Sequence, residues 1–373
     1  MIPRRAARDS RFVPFARRRW IGAAAVLIPA SFVLAEDSPG QWIEQGHFRR
    51  AEVLLRAPLQ KTPADPQMNF LMSRVDLAFR RLDDAVAHAE KAVAADGANA
   101  SYHGQLAEAL GAQTDDPDRG MFDKLSLAKR VRKEAEAALA LDPKNESANS
   151  VLLTFYLEAP GIAGGSKDKA KELADRVTQL DPAQGYQLQM EIARKEQRMT
   201  DLEPLARKAF EAGSNSFRAN LNFAGFNLSR TPPDPVAGEK HARAAMKLDA
   251  QRIGPYSLLA SLFVTQKRWN ELDPLLADAE RAIPDNLGAH YQAARAILLA
   301  GDAGQMGRAE SYLRKYLGQP PEGGQPSLAG AHWRLGLVLE KQGRKDEARA
   351  EVQTAVTLDP KLKAAQQDLK RLK

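Results

Sequence analysis

The sequence predicts an all-α solenoid of stacked helix pairs, and two observations lead there. A short helix-ending phrase recurs along the chain, and small and large apolar residues stand at fixed offsets before it. The phrases are Ala95-Asp96-Gly97, Leu141-Asp142-Pro143, Leu180-Asp181-Pro182, Leu248-Asp249-Ala250, Ile283-Pro284-Asp285 and Leu358-Asp359-Pro360. From Pro63 to Gly97 is 34 residues, from Ala250 to Pro284 is 34, and from Pro182 to Ala250 is 68. Steps of 46, 39 and 76 residues elsewhere mark insertions. A fixed period of this size belongs to units that bury a core only by stacking on their neighbours.

The offsets are clearest at the end of the chain, where Leu335, Gly336, Gly343, Ala348 and Ala355 precede Pro360. Two amphipathic helices cross closely where alanine or glycine sits at the contact and larger groups fill the space between. A glycine permits the tight turn joining them, and a proline stops the second helix. Counted back from Pro284, the same offsets give Tyr256, Leu259, Ala260, Phe263, Leu276 and Ala279; from Gly97 they give Met72, Ala85, Ala89 and Ala92. Asp201-Leu202-Glu203-Pro204-Leu205 recurs 70 residues later as Glu271-Leu272-Asp273-Pro274-Leu275. Each is expected to open a second helix with its proline in the first turn, where the missing N–H is harmless.

These positions resemble the small and large positions of the tetratricopeptide repeat over nearly all of residues 36–373. The resemblance implies an α-α superhelix whose first helices line a concave groove. A partial unit is expected over 37–63, eight units over 64–97, 98–143, 144–182, 183–216, 217–250, 251–284, 285–321 and 322–360, and a capping helix over 361–373. In that cap Leu362, Ala365, Leu369 and Leu372 share one face and the lysines lie largely off it, as a solvated end to an open stack requires.

Residues 1–35 read differently. Arg4, Arg5, Arg8, Arg11, Arg17, Arg18 and Arg19 stand against Asp9 alone and precede an uncharged run from Trp20 to Ala35. Those 16 residues fall short of the ~20 that a spanning helix needs. With Val33 and Ala35 before Glu36, the segment has the basic, apolar and small-residue regions of a secretory signal peptide. An uncleaved anchor is the alternative reading. Arg17-Arg18-Arg19-Trp20 also resembles a twin-arginine signal, so both export routes stay open, and a periplasmic or otherwise exported location is expected.

The leader holds six of the seven net positive charges, which leaves +1 on residues 36–373. Nucleic-acid binding loses its support, because sequence-independent affinity rests on clustered cations neutralising phosphates. No membrane span is expected after the leader. With no cysteine, disulfides, thiolate metal sites, cysteine nucleophiles and a lipid-modified N-terminal cysteine are excluded.

Two insertions interrupt the period. The first, about 114–126, carries Asp115, Asp116 and Asp118, which lack the ligand spacing of a calcium loop. It is expected to be a solvated loop that caps the next helix. The second runs from Ala159 to Ala170 and includes Gly161, Gly164, Gly165, Ser166 and Lys167. A phosphate loop would follow a strand and place Gly at Ser166 and a hydroxyl at Asp168, so Ser166 reads as an N-cap. The arrangement is similar to exported bacterial repeat proteins in which a Pro-Gly…Gly-Gly loop separates the helices of one unit. The Pro/Gly segments 231–235 and 319–326 read as structural turns.

Chemistry finds no anchor. The six histidines form no H-E-x-x-H and no i, i+4 pair for a metal. His103, His290 and His332 share one repeat position and read as packing residues. No G-x-S-x-G elbow is present. No catalytic residue, metal or cofactor is expected, and the function is that of a non-catalytic scaffold for a protein or peptide partner. Positions along the first helices place Phe70, Arg74, Glu108, Ser147, Ser150, Thr154, Gln187, Glu191, Ser257, Ser261, Thr265, Tyr291, Arg295 and Trp333 on the groove. Aromatic and arginine residues near both ends with hydroxyls between suit an extended segment. The alternative is an envelope accessory subunit or hydrolase using a carboxylate cluster in the groove. Partner and oligomeric state are not written in the sequence.

Overall fold

The computed structural model describes residues 38–116, 118–324 and 326–372. The leader expected over residues 1–35, with its arginine motif, lies outside them. Nineteen α-helices run in succession among the described residues. They are α1 Pro39–Gln45, α2 Phe48–Lys61, α3 Pro66–Ala78, α4 Leu82–Ala95, α5 Ala100–Thr114, α6 Met121–Leu141, α7 Glu146–Glu158, α8 Lys167–Leu180, α9 Pro182–Lys195 and α10 Leu202–Gly213. The series continues with α11 Phe217–Ser229, α12 Pro235–Leu248, α13 Ile253–Thr265, α14 Trp269–Ala282, α15 Gly288–Ala300, α16 Met306–Leu317, α17 Leu328–Lys341, α18 Lys345–Leu358 and α19 Lys363–Arg371. Each packs mainly on its neighbours in the chain, so the fold is an α-α solenoid. None of the described helices is long and apolar enough to cross a membrane.

The recurring Asp explains itself at the helix ends. Asp142, Asp249 and Asp359 leave the helix in extended conformation while their own N–H still bonds the carbonyl four residues back. Their side chains then accept from the N–H two residues on, at 2.9 Å in all three. This local bond competes with the helical ladder and fixes the turn. The next helix starts on a side-chain cap at Asn145, which accepts from Ala148 N at 2.9 Å.

Small residues sit at the crossings. Ala85, Ala89 and Ala92 of α4 are fully buried. A methyl group added to Gly336 of α17 would stand 2.9 Å from the Ala348 carbonyl of α18. Tyr256, Leu259, Ala260, Phe263, Leu276 and Ala279 all lie in one core around α13 to α17.

One local expectation is extended and another corrected. Glycine permits the turn between paired helices at Gly343, but other residues take the same conformation elsewhere. Residues Arg80, Gln197 and Lys267 take φ of 57°, 58° and 56°, the role Gly343 fills at 81°. At each, the following arginine N–H bonds the carbonyl five residues back, as Arg268 does to Phe263 at 2.8 Å. That arginine then pairs with carboxylates; Arg81, Arg268 and Arg344 reach Glu52, Glu239 and Glu310 on the helix of the preceding pair. The correction concerns Pro274, which is the sixth residue of α14 rather than a first-turn residue, because the helix already starts at Trp269.

The stack also makes contacts that periodicity does not announce. His47 and Arg50, before and on α2, meet Asp285 at 2.9 and 2.7 Å. Arg49 N–H donates to Glu322 at 2.8 Å, and Gly324 N–H donates to the Ala78 carbonyl at 2.6 Å. Lys361, before α19, pairs with Asp118 in the first insertion. The first pair is thus joined to the segment 285–324, which an open stack would leave apart. The segment 319–326, read from sequence as a turn alone, supplies half of this seam.

Candidate functional site: a cleft between the two insertions

The first insertion ends by lengthening a helix. Helix α6 spans 21 residues, and its first turn projects Met121 and Phe122 at 84% and 88% exposure. Gly120 occupies the N-cap with no side-chain bond, so the aspartates do not cap α6 as the sequence reading expects. Instead the Asp116 side chain accepts from Asp118 N–H at 3.0 Å, and Arg119 reaches back to Asp83 at 2.9 Å.

The second insertion folds as a 3-10 turn, Gly161–Ala163, followed by Gly164 at φ 105°. Gly165 is pressed against its own chain, since a methyl group there would stand 1.8 Å from the Ala159 carbonyl. Ser166 N-caps α8 by accepting from Lys169 N–H at 3.3 Å, and Lys167 opens that helix exposed. Gly161 is unconstrained. The turn presents Ile162 at 94% exposure.

The insertions meet at a cleft of about 860 Å³ between α5, α6, α7 and the 159–166 loop. Leu125, Ala128 and Val131 of α6 and Val151 and Phe155 of α7 give it apolar walls, with Met121 and Ile162 at the mouth. Ser147, Ser150, Thr154 and Glu158 follow one face of α7 along it, as residues three or four apart on a helix do. Ser147 Oγ donates to Glu108 at 2.7 Å, and Thr154 Oγ1 donates to the Ser150 carbonyl at 3.1 Å.

Glu191 of α9 lines this cleft and also a second one of about 510 Å³, whose walls include Gln187, Phe210, Phe223 and Phe226. Glu191 is exposed, yet partial desolvation of its carboxyl holds it above its usual range, with Arg194 opposing. Phe210 and Phe223 stack at 4.8 Å, and His241 meets both edge-on.

Of the residues placed on the groove from sequence, Glu108, Ser147, Ser150, Thr154, Gln187 and Glu191 line these two clefts. Arg295 and Trp333 line a separate one of about 630 Å³, where Trp333 Nε1–H donates to Asp368 at 2.8 Å. Phe70, Arg74, Ser261 and Tyr291 line none of the three. Phe70 packs on Tyr102 at 5.4 Å while Arg74 pairs with Glu44 at 2.7 Å. Ser261 Oγ donates to the Ser257 carbonyl at 3.1 Å. Tyr291 is 5% exposed, set between Tyr316 at 5.2 Å and the Arg334 guanidinium at 5.4 Å. Sequence reasoning missed Met121, Phe122 and Ile162, although apolar residues inside insertions were the available signal.

The histidines at the shared repeat position each meet a glutamate of a second helix. His103 pairs with Glu134 at 2.7 Å, His290 with Glu280 at 2.8 Å and His332 with Glu351 at 2.7 Å. Among the described residues no three His, Cys, Asp or Glu side chains form a metal-binding group.

Residues 329–362, which hold α17 and α18, match the family model of the tetratricopeptide repeat. No curated protein matches the chain. Similar solved structures include yeast Tom70, at 15% identity and TM-score 0.46 over 90% of this chain and 79% of that one. A thermophilic TPR protein of Thermus thermophilus, TTC0263, is 17% identical with TM-score 0.37 over 56% of this chain and 98% of that one. YrrB, a TPR protein with an unusual peptide-binding site, is 14% identical with TM-score 0.33 over 53% and 97%. Residues 329–362 are thus a tetratricopeptide-type unit, and the helix pairs before it stack in the same α-α fashion.

Proposed function

We propose that this protein is an exported, non-catalytic scaffold that docks a segment of a partner protein in the cleft between its two insertions. The observation that carries the reading is the exposure of Met121 and Ile162 at an apolar-walled cleft, with exposed Phe122 next to Met121 in the chain. Exposed apolar side chains grouped at a concavity favour association, because burying them removes apolar area from water. The repeat architecture supports the same reading, since stacked helix pairs offer extended surfaces to partners. Three of the five acidic side chains at the cleft are engaged singly, Glu108 with Ser147, Glu146 with Arg218 and Glu158 with Lys195, which suits docking better than a shared acid–base pair.

The export part rests on the leader 1–35, with residues 36–373 as one repeat domain. N-terminal sequencing of the cellular protein tests it, and a mature start at Glu36 is expected. For docking, the full chain serves as bait under crosslinking in the exported compartment. Ile162→Asp should leave folding intact and remove the captured partner. A partner captured equally by Ile162→Asp would place docking elsewhere on the molecule.

A further inference from the structure

We infer that the segment taken by this cleft is basic as well as apolar, with cationic residues at its two ends; the inference rests on the docking reading above. Five carboxylates line the cleft, Glu108, Asp115, Glu146, Glu158 and Glu191, against two cations, Lys124 and Arg218. Arg218 is already spent on Glu146. Among the described residues Glu108, Asp115 and Glu191 have no cation within 4.0 Å, and Glu158 meets only the exposed Lys195 at 2.6 Å. An exposed ion pair of that kind contributes little and exchanges readily for another cation.

The carboxylates are also placed to set spacing. Ser147, which Glu108 accepts from, and Glu158 mark the two ends of the hydroxyl row on α7. Eleven positions at the helical rise put those ends roughly 16 Å apart. An extended segment covers that span in about five residues. Apolar side chains between the two cations would then face Leu125, Val151 and Phe155 on the cleft walls. Glu191, exposed in the lining of the same cleft, gains from an incoming positive charge. The complement of the cleft is therefore a segment with Lys or Arg about five positions apart and apolar residues between.

The test uses the full chain and two fluorescent ten-residue peptides, read by anisotropy. One carries two lysines five positions apart around leucines, and the other has glutamates in place of the lysines. The basic peptide should bind at least tenfold more tightly, and its affinity should fall as salt rises. Glu158→Gln and Glu108→Gln, each at an exposed position, should weaken the basic peptide several-fold and leave thermal unfolding unchanged. Equal binding of both peptides, sensitive to Ile162→Asp, would overturn the basic preference and keep the docking site. Binding of neither peptide would overturn both readings. Dimerisation that Ile162→Asp abolishes would make a second copy the occupant and overturn the inference as well.

Discussion

His47 and Asp285 stand 238 positions apart in the chain, yet His47 Nδ1 lies 2.9 Å from Asp285 Oδ2. His47 is 1% exposed, and Arg50 reaches the same carboxylate at 2.7 Å. A carboxylate only accepts, so the His47 Nδ1 carries the hydrogen. Beside them Glu322 accepts from the Arg49 N–H, while burial holds its carboxyl above the usual range. The first helix pair is therefore held by polar contacts to the far part of the chain as well as by its own core of Ile43, Ala51 and Leu55.

Removing Asp285 tests that seam. Burial opposes its ionisation, but His47 and Arg50 outweigh burial and keep its carboxyl below the usual range. A depressed carboxyl stabilises the fold above its unfolded pKa, and that contribution disappears as pH falls through the folded value. Asp285→Ala should cost roughly 1–3 kcal/mol at neutral pH, the range for stranding partly buried partners. Urea unfolding checks this, and the variant should also show a weaker loss of stability below about pH 4 than the parent. Amide exchange at Arg49 should rise with it.

The second insertion offers a sharper contrast. A methyl group on Gly165 meets the Ala159 carbonyl at 1.8 Å, whereas one on Gly161 meets nothing within 4 Å. A backbone oxygen cannot turn aside as a side chain can. Gly165→Ala should therefore cost about 1–3 kcal/mol or more by overpacking, and Gly161→Ala should stay within about 0.5 kcal/mol. Denaturant midpoints of the two variants decide it; equal midpoints would mean that the loop rearranges at no cost.

The helix turns invite stabilisation. Gln197 and Lys267 hold the left-handed conformation, which opposes any residue with a Cβ by about 1–2 kcal/mol. Glycine removes that penalty and returns about 0.5–1 kcal/mol of it through the freer unfolded chain. Gln197→Gly and Lys267→Gly should each raise stability by a few tenths to about 1 kcal/mol. Gly343→Lys should lower it by a similar amount. Thermal melts of the three variants give the signs directly.

The same turns show where sequence is legible and where it is not. The Asp of each phrase and the alanines at the crossings act on residues nearby in the chain, so their spacing survives in the sequence as a period. Lys267 left no such mark, because one left-handed residue costs less than the surrounding core supplies and glycine is not obligatory. The His47–Asp285 seam is invisible for another reason: it joins positions unrelated by the repeat, through charges that look like any solvated helix face. In the groove, repeat phase placed Ser150 and Thr154 at the cleft. It placed Tyr291 on the same helical face, but Tyr316 of its own unit and Arg334 of the next cover the ring.

Buried imidazoles should govern stability nearer neutral pH. His241 is buried on α12, bonded to Asn220 at 3.0 Å and flanked by Phe210 and Phe223. Desolvation lowers its pKa, and Lys240 adds to the effect. His290 shifts the same way, since burial outweighs the attraction of Glu280. A base with a depressed folded pKa stays neutral in the fold while the unfolded chain takes up the proton. Each therefore costs nothing above about pH 6.5 and destabilises increasingly as pH falls below it, by at most about 1.4 kcal/mol per pH unit. Urea midpoints measured between pH 7.5 and about 5 should decline in the parent, and His241→Leu should flatten part of that slope. An unchanged slope would show that His241 takes up its proton within the fold as readily as in the unfolded chain, with the Asn220 carbonyl accepting from the imidazolium.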